Sequence, residues 1–143
     1  MHVMALDVGE KRIGVALSDP LGSFAMPLLT LDKPATFIEE IVRLVKEYGV
    51  ERIVAGLPIS MDDSLGSQAQ KVLTFVEGLT KVSPVPVETW DERLSTVAAD
   101  HAMFESGTKR DKRKQHRDAL AASFILQSYL DDQRSRSARQ AAE

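Results

Sequence analysis

A tight hairpin sets what the rest of this chain can become. Residues 3–6 (VMAL) form a short apolar run that ends in Asp7, Gly9 to Arg12 make a charged turn, and residues 13–17 (IGVAL) form a second β-type run. Two apolar strands around a short polar loop containing glycine are a hairpin signature, and a hairpin pairs its strands antiparallel. The chain then changes rhythm. After a third, shorter strand at 25–31, which reads as an edge, helical and strand patterns alternate, and strand–helix–strand units demand parallel pairing through right-handed crossovers. Both demands together leave an α/β fold: a mixed five-stranded sheet, antiparallel in its opening strands and parallel after, with helices on its faces.

The helices are legible from their apolar spacing. Thr36 and Glu39 suggest a capping box, followed by Phe37, Ile38, Ile41, Val42, Val45 and Tyr48 at helical intervals and a stop at Gly49. Residues 51–57 (ERIVAGL) read as a buried strand, 58–66 as a polar loop, and Ala69, Val72, Leu73, Val76 and Leu79 as one face of a second helix. A fifth strand is expected over 85–90, with Asp91, Glu92 and Arg93 at its end. A helix over about 95–105, a basic loop, and a last helix over about 117–130 complete the pattern. At 143 residues this is one domain, 1–130, and 131–143 lacks apolar periodicity and reads as a disordered tail.

Composition narrows the chemistry. There are no cysteines and only three histidines, none in a helical pair, which excludes disulfides and thiolate sites and disfavours zinc. No signal-peptide pattern and no membrane-length apolar run is present, so the expectation is a soluble cytoplasmic protein without a membrane partner. The net charge of −3 conceals a strongly basic stretch: residues 109–117 (KRDKRKQHR) hold six Lys/Arg and one acid. Such a run serves either as a solvated face or as a local footprint for nucleic acid.

Three acids belong to elements that can meet. Asp7 ends the first strand and Asp91 and Glu92 end the last, on the same rim of the sheet. Asp118 heads the stripe 118, 121, 122, 125, 129 of the final helix, facing the sheet, where a carboxylate is costly unless paired or bound to a cation. Each has a plainer reading: Asp7 as an Asx turn, Asp118 as a partner of the helix dipole. An all-carboxylate cluster suits Mg²⁺ or Mn²⁺, which take oxygen ligands. Two such ions can activate a water and stabilise the leaving oxygen of a phosphodiester. Gly9 and Gly14, lacking Cβ, would let a phosphate backbone come close. Lys11, Arg12, Lys109, Arg110, Arg113 and Lys114 are the candidate nucleic-acid-binding side chains. Trp90 reads as core before it reads as a base-stacking platform, and Asp62 and Asp63 read as caps of the helix that follows them.

The segments DVGEKRIGVALSD, IVAGLPISMDDSLGSQAQKV, WDERLST and DALAASFILQSYL resemble the YqgF/RuvX family, bacterial proteins described as Holliday junction resolvases or pre-16S rRNA nucleases. The resemblance covers about residues 3–130 and implies a ribonuclease H-like fold. It further implies metal-dependent cleavage of structured nucleic acid, precursor rRNA or branched DNA, with catalytic and metal-binding acids at Asp7, Glu92 and Asp118. Asp91 belongs to the same motif, so either it or Glu92 reaches the metal. The chain departs from the family pattern at Asp63, where Gly is usual, at Ser67, where Pro is frequent, and at Arg117, in place of an aliphatic residue. Two rivals compete: a nucleotide-binding module of the actin-like kind, which needs a second domain wall, and a non-catalytic RNA-binding or transcription-associated module using the basic stretch alone. Monomer and homodimer are both open.

Overall fold

The computed structural model describes residues 2–94 and 110–142, and within the last helix the side chains of 117–141. Five strands, β1 (His2–Val8), β2 (Ile13–Ser18), β3 (Ala25–Leu31), β4 (Val50–Leu57) and β5 (Val87–Asp91), form one sheet in the order β3-β2-β1-β4-β5. β1 pairs antiparallel with β2 and parallel with β4; β2 pairs antiparallel with β3, and β4 parallel with β5. The mixed sheet expected from the sequence is therefore present, with β1 at its centre and β3 at an edge. Pro27 is tolerated in β3 because an edge strand leaves one row of amides unpaired, and the register shifts beside it between Val15 and Ala16.

Among the described residues three α-helices cover the sheet: α1 (Phe37–Tyr48), α2 (Ser67–Val82) and α3 (Arg110–Ala142). The period-2 alternation of β1 divides the core. Met4, Leu6 and Val8 pack with Ile41, Leu44, Val45, Val72 and Leu79 of α1 and α2. Val3 and Ala5 pack with Ala122, Ile125, Leu126 and Tyr129 of α3 on the other face. α1 stops at Gly49, whose left-handed φ of 64° suits glycine.

Several expectations need correction. Thr36 makes no capping bond to the backbone; its hydroxyl bonds the Lys33 carbonyl and the carboxylate of Glu40, not Glu39, because a short 3-10 turn (Pro34–Thr36) precedes α1. Neither Asp62 nor Asp63 caps α2, whose N-cap is Gly66. Asp62 instead accepts bonds from the Ser64 amide and hydroxyl. The basic stretch is not a loop from residue 110 onward but the opening turns of α3, Lys and Arg being good helix formers. The helix also continues to Ala142 where a disordered tail was expected. Ion pairs between Arg134 and Asp131 and between Arg136 and Asp132 support it at helical spacing. The helix expected over 95–105, together with Gly107 and Lys109, lies outside the described residues.

Candidate active site

Alternation places Asp7 on the α3 side of the sheet, in line with Val3 and Ala5. Its neighbours across both adjacent strands are glycines. Asp7 pairs with Gly14 of β2, and the register that joins Leu6 to Ala55 brings Gly56 of β4 beside it. A Cβ at Gly14 would overlap the backbone carbonyl of Asp118, so this glycine is where α3 seats directly on the sheet. A Cβ at Gly56 would stand 2.7 Å from Glu92 Oε1 and 2.6 Å from Ile125 Cδ1, so this glycine makes the floor over which Glu92 lies. The two glycines flanking Asp7 thus clear space for the two elements that carry the other acids. Gly9 closes the hairpin, its amide donating to the Arg12 carbonyl at 2.9 Å. The expectation that Gly9 and Gly14 open the chain to a phosphate backbone is replaced by these packing roles: the turn needs one and α3 occupies the space above the other.

The acids are coupled. Burial drives the Asp7 carboxyl up to about 7, helped by the charges of Glu92 and Asp118 and by a hydrogen bond to Glu92. Glu92 is also raised, chiefly by burial, with the bond to Asp7 opposing. The hydrogen bond between the two carboxyls pushes Asp7 up and Glu92 down, so the two titrate as a pair. Between Asp91 and Glu92, it is Glu92 that faces Asp7. The Asp91 carboxylate is held by Arg93, at 2.8 Å from Nη2 and 3.1 Å from Nε, and is depressed by that bond. Arg93 also binds Asp63 at 2.6 Å and the Ser60 carbonyl at 3.2 Å, tying the loop after β4 to the end of β5. Asp63 adopts a left-handed φ of 66°, the conformation that glycine takes without strain. The departure from glycine at this position is therefore offset by an ion pair.

Asp118 faces the sheet as its helical position predicts, but its carboxylate is bonded by Arg12 Nε at 2.7 Å. Among the described residues no group of three or more candidate ligands gathers closely enough to hold a metal. The chemistry of the donors still fits a hard cation. They are carboxylates only, two already touch, and Mg²⁺ is commonly held by one or two carboxylates plus waters and substrate phosphates. Of the candidate cations, Arg12 lies in the cluster and Lys11 on the hairpin turn; the side chains of Arg110, Arg113 and Lys114 lie outside the described residues, as does Lys109 entirely. Trp90 is partly buried against the α3-side core, packed edge-on to Tyr129 with ring centroids 5.5 Å apart and bonding Ser128 through its indole N–H. Sequence reasoning missed Gly56 and Arg93. An interior strand glycine is a signal of close approach, whereas nothing in the sequence tells which acid Arg93 takes.

The fold with this acid-bearing rim is ribonuclease H-like. Among solved structures, fowlpox virus resolvase with Holliday junction DNA matches with a TM-score of 0.57 at 13% identity, covering 92% of this chain and 98% of that one. Thermus thermophilus RuvC with a Holliday junction substrate matches with a TM-score of 0.56 at 15% identity, covering 90% and 94%. The family model described as RuvX, Holliday junction resolvase, matches residues 1–132. Relatives from Desulforamulus reducens and Clostridium novyi, each named "Putative pre-16S rRNA nuclease", are 47% identical over 133 residues, 92% of this chain and 97% and 98% of theirs. The chain belongs to the RuvX family, a family of nucleases that hydrolyse phosphodiester bonds.

Proposed function

We propose that this chain is a metal-dependent endonuclease acting on structured nucleic acid, processing the 5′ end of precursor 16S rRNA. The observation that carries the proposal is the half-buried, hydrogen-bonded Asp7–Glu92 pair with Asp118 on the facing helix: Glu92 and Asp118 oppose ionisation of Asp7 at a strand-end rim, where a cation would offset their charge. Asp7, Glu92 and Asp118 would hold Mg²⁺ or Mn²⁺, which when bound supplies an activated water and stabilises the leaving oxygen. The residues of the chain do the positioning. Gly14 and Gly56 set the separation of the acids, Arg93 withdraws Asp91 from the cluster and leaves Glu92 as the strand-end ligand, and the fixed sheet holds Asp7 beneath both. The name borne by the relatives supports precursor rRNA as substrate. The family description supports a second reading, resolution of branched DNA.

One assay separates the two. Purified protein is offered a four-way DNA junction and a precursor 16S rRNA, each with Mn²⁺ and with a chelator. Metal-dependent cleavage of the RNA at a defined 5′ site is the expected result. Junction cleavage alone would replace the substrate, and no cleavage of either would remove the nuclease reading.

The basic opening of α3 is proposed as the phosphate-binding surface. Replacing Arg110, Arg113 and Lys114 by Ala together should make the slope of log K against log salt on a duplex substrate shallower by roughly 2.7, at about 0.9 per lost contact. The slope is measured by fluorescence anisotropy across a salt series, and an unchanged slope would mark the run as a solvated face.

A further inference from the structure

Arg12 pairs with a carboxylate that the proposed function assigns to a cation. Its Nε bonds Asp118 Oδ2 at 2.7 Å, and the Asp118 backbone seats on Gly14, the residue paired with Asp7 across the sheet. The guanidinium therefore balances part of the charge of the acid cluster. The hairpin turn fixes where the side chain starts, since the Arg12 carbonyl accepts from the Gly9 amide. The far end is free to move: the pair is partly exposed, 37% for Arg12 and 23% for Asp118, and among the described residues Nε alone makes a hydrogen bond. A guanidinium has five donors in a planar fork suited to phosphate, so a single Nε bond leaves most of that capacity unused.

We propose that Arg12 is an exchange latch: metal binding takes Asp118 from it, and the released guanidinium then binds a phosphate of the nucleic acid next to the scissile bond. The inference rests on the metal-dependent reading above and adds an order of events to it. A cation and a guanidinium compete for one carboxylate, so loading the site and arming the phosphate contact are a single coupled step. In the metal-free protein Asp118 is kept neutralised and Arg12 is withheld from the substrate. Metal and substrate phosphate therefore favour each other's binding, as linkage requires of two ligands that select the same arrangement. Arg12 acts first as a positioning residue for Asp118 and then as a substrate contact.

The test uses the full chain and its Arg12→Gln and Arg12→Lys variants, with folding checked by circular dichroism. Mn²⁺ affinity is read by electron paramagnetic resonance without nucleic acid. Loss of the competitor should tighten Mn²⁺ binding by about fivefold in Arg12→Gln, the upper range for a partly exposed ion pair, and by less in Arg12→Lys, which keeps the charge. Four-way junction binding is then measured against salt, once in chelator and once in Ca²⁺, a hard cation that takes the same oxygen ligands. The wild type should have a slope steeper than Arg12→Gln by about 0.9 in Ca²⁺, one duplex phosphate contact, and by nothing in chelator. If the wild type binds Mn²⁺ and Arg12→Gln binds it equally or more weakly, Arg12 is no competitor and the latch is wrong. A slope difference of the same size in chelator and in Ca²⁺ would also overturn it, because the phosphate contact would not depend on the metal. Failure of the wild type itself to bind Mn²⁺ would remove the metal-dependent reading, and the latch with it.

Discussion

Asp7→Asn should abolish cleavage and, in the absence of metal, make the protein more stable at pH 8. Both effects come from the same burial. In the folded protein the Asp7 carboxyl titrates at about 7 against 3.8 for an unperturbed aspartate, because burial, Glu92 and Asp118 all oppose its charge. Between those two values the folded state binds more protons than the unfolded state, so the stability contributed by Asp7 is present below about pH 4 and is lost as pH rises through 7. Above pH 7 the ionised side chain costs on the order of 4 kcal/mol. Asparagine carries no such charge. The variant should therefore match the wild type near pH 4 and exceed it at pH 8 by up to a few kcal/mol, measured by urea unfolding in chelator. Adding Mn²⁺ should reverse the order at pH 8, because only the wild type gains the full linkage stabilisation. Cleavage should fall by at least about a hundredfold, since metal-assisted charge stabilisation is worth several kcal/mol in the transition state. Parallel stability curves for variant and wild type across pH 4 to 8 would show that Asp7 is not the strained group, and full cleavage would remove it from the site.

How much of this was legible in the sequence depended on how local the determining physics was. The hairpin at Asp7, the strand–helix alternation and the apolar stripes of α1 and α2 are short-range patterns, and the mixed pairing of the sheet, antiparallel then parallel, followed from them. The inward face of Asp118 was equally readable, being fixed by helical spacing. The bonding of the site was not. That Arg93 would take Asp91 and leave Glu92 to Asp7 depends on where a loop 30 residues earlier places Asp63, which no spacing rule reports. The pairing of Arg12 with Asp118 joins residues 106 apart. The charge run at 109–117 misled because its charge was weighed above helix propensity: the same lysines and arginines that suggest a solvated loop also extend a helix at little cost. The glycines misled differently. An absent Cβ announces that something comes close but not what, and at Gly14 it was the helix rather than a ligand.

Gly14→Ala should be the most damaging glycine-to-alanine change among the described residues. At most surface or helix positions glycine to alanine is neutral or stabilising, because alanine restricts the unfolded chain. Here the new Cβ, fixed by its own backbone, would overlap the backbone of Asp118 and Ala119, so no side-chain rotation relieves the contact. Either α3 lifts from β2, opening the core around Ala16, Ala122 and Leu126, or the central strands bend. Overpacking of this kind costs about 3 kcal/mol or more, which for a domain of this size lowers the melting temperature by roughly 10 °C. The lift also carries Asp118 away from Asp7, so cleavage should be lost even at temperatures where the variant remains folded. Gly56→Ala provides the contrast. Its Cβ meets the ends of two side chains, Ile125 and Glu92, which can turn aside. That variant should keep its melting temperature within a few degrees while losing cleavage through displacement of Glu92. The pair is read by calorimetry and by the junction and precursor RNA assays. A Gly14→Ala protein that melts with the wild type and cleaves normally would mean that α3 does not seat on β2 at this point, and the placement of Asp118 over Asp7 would fall with it.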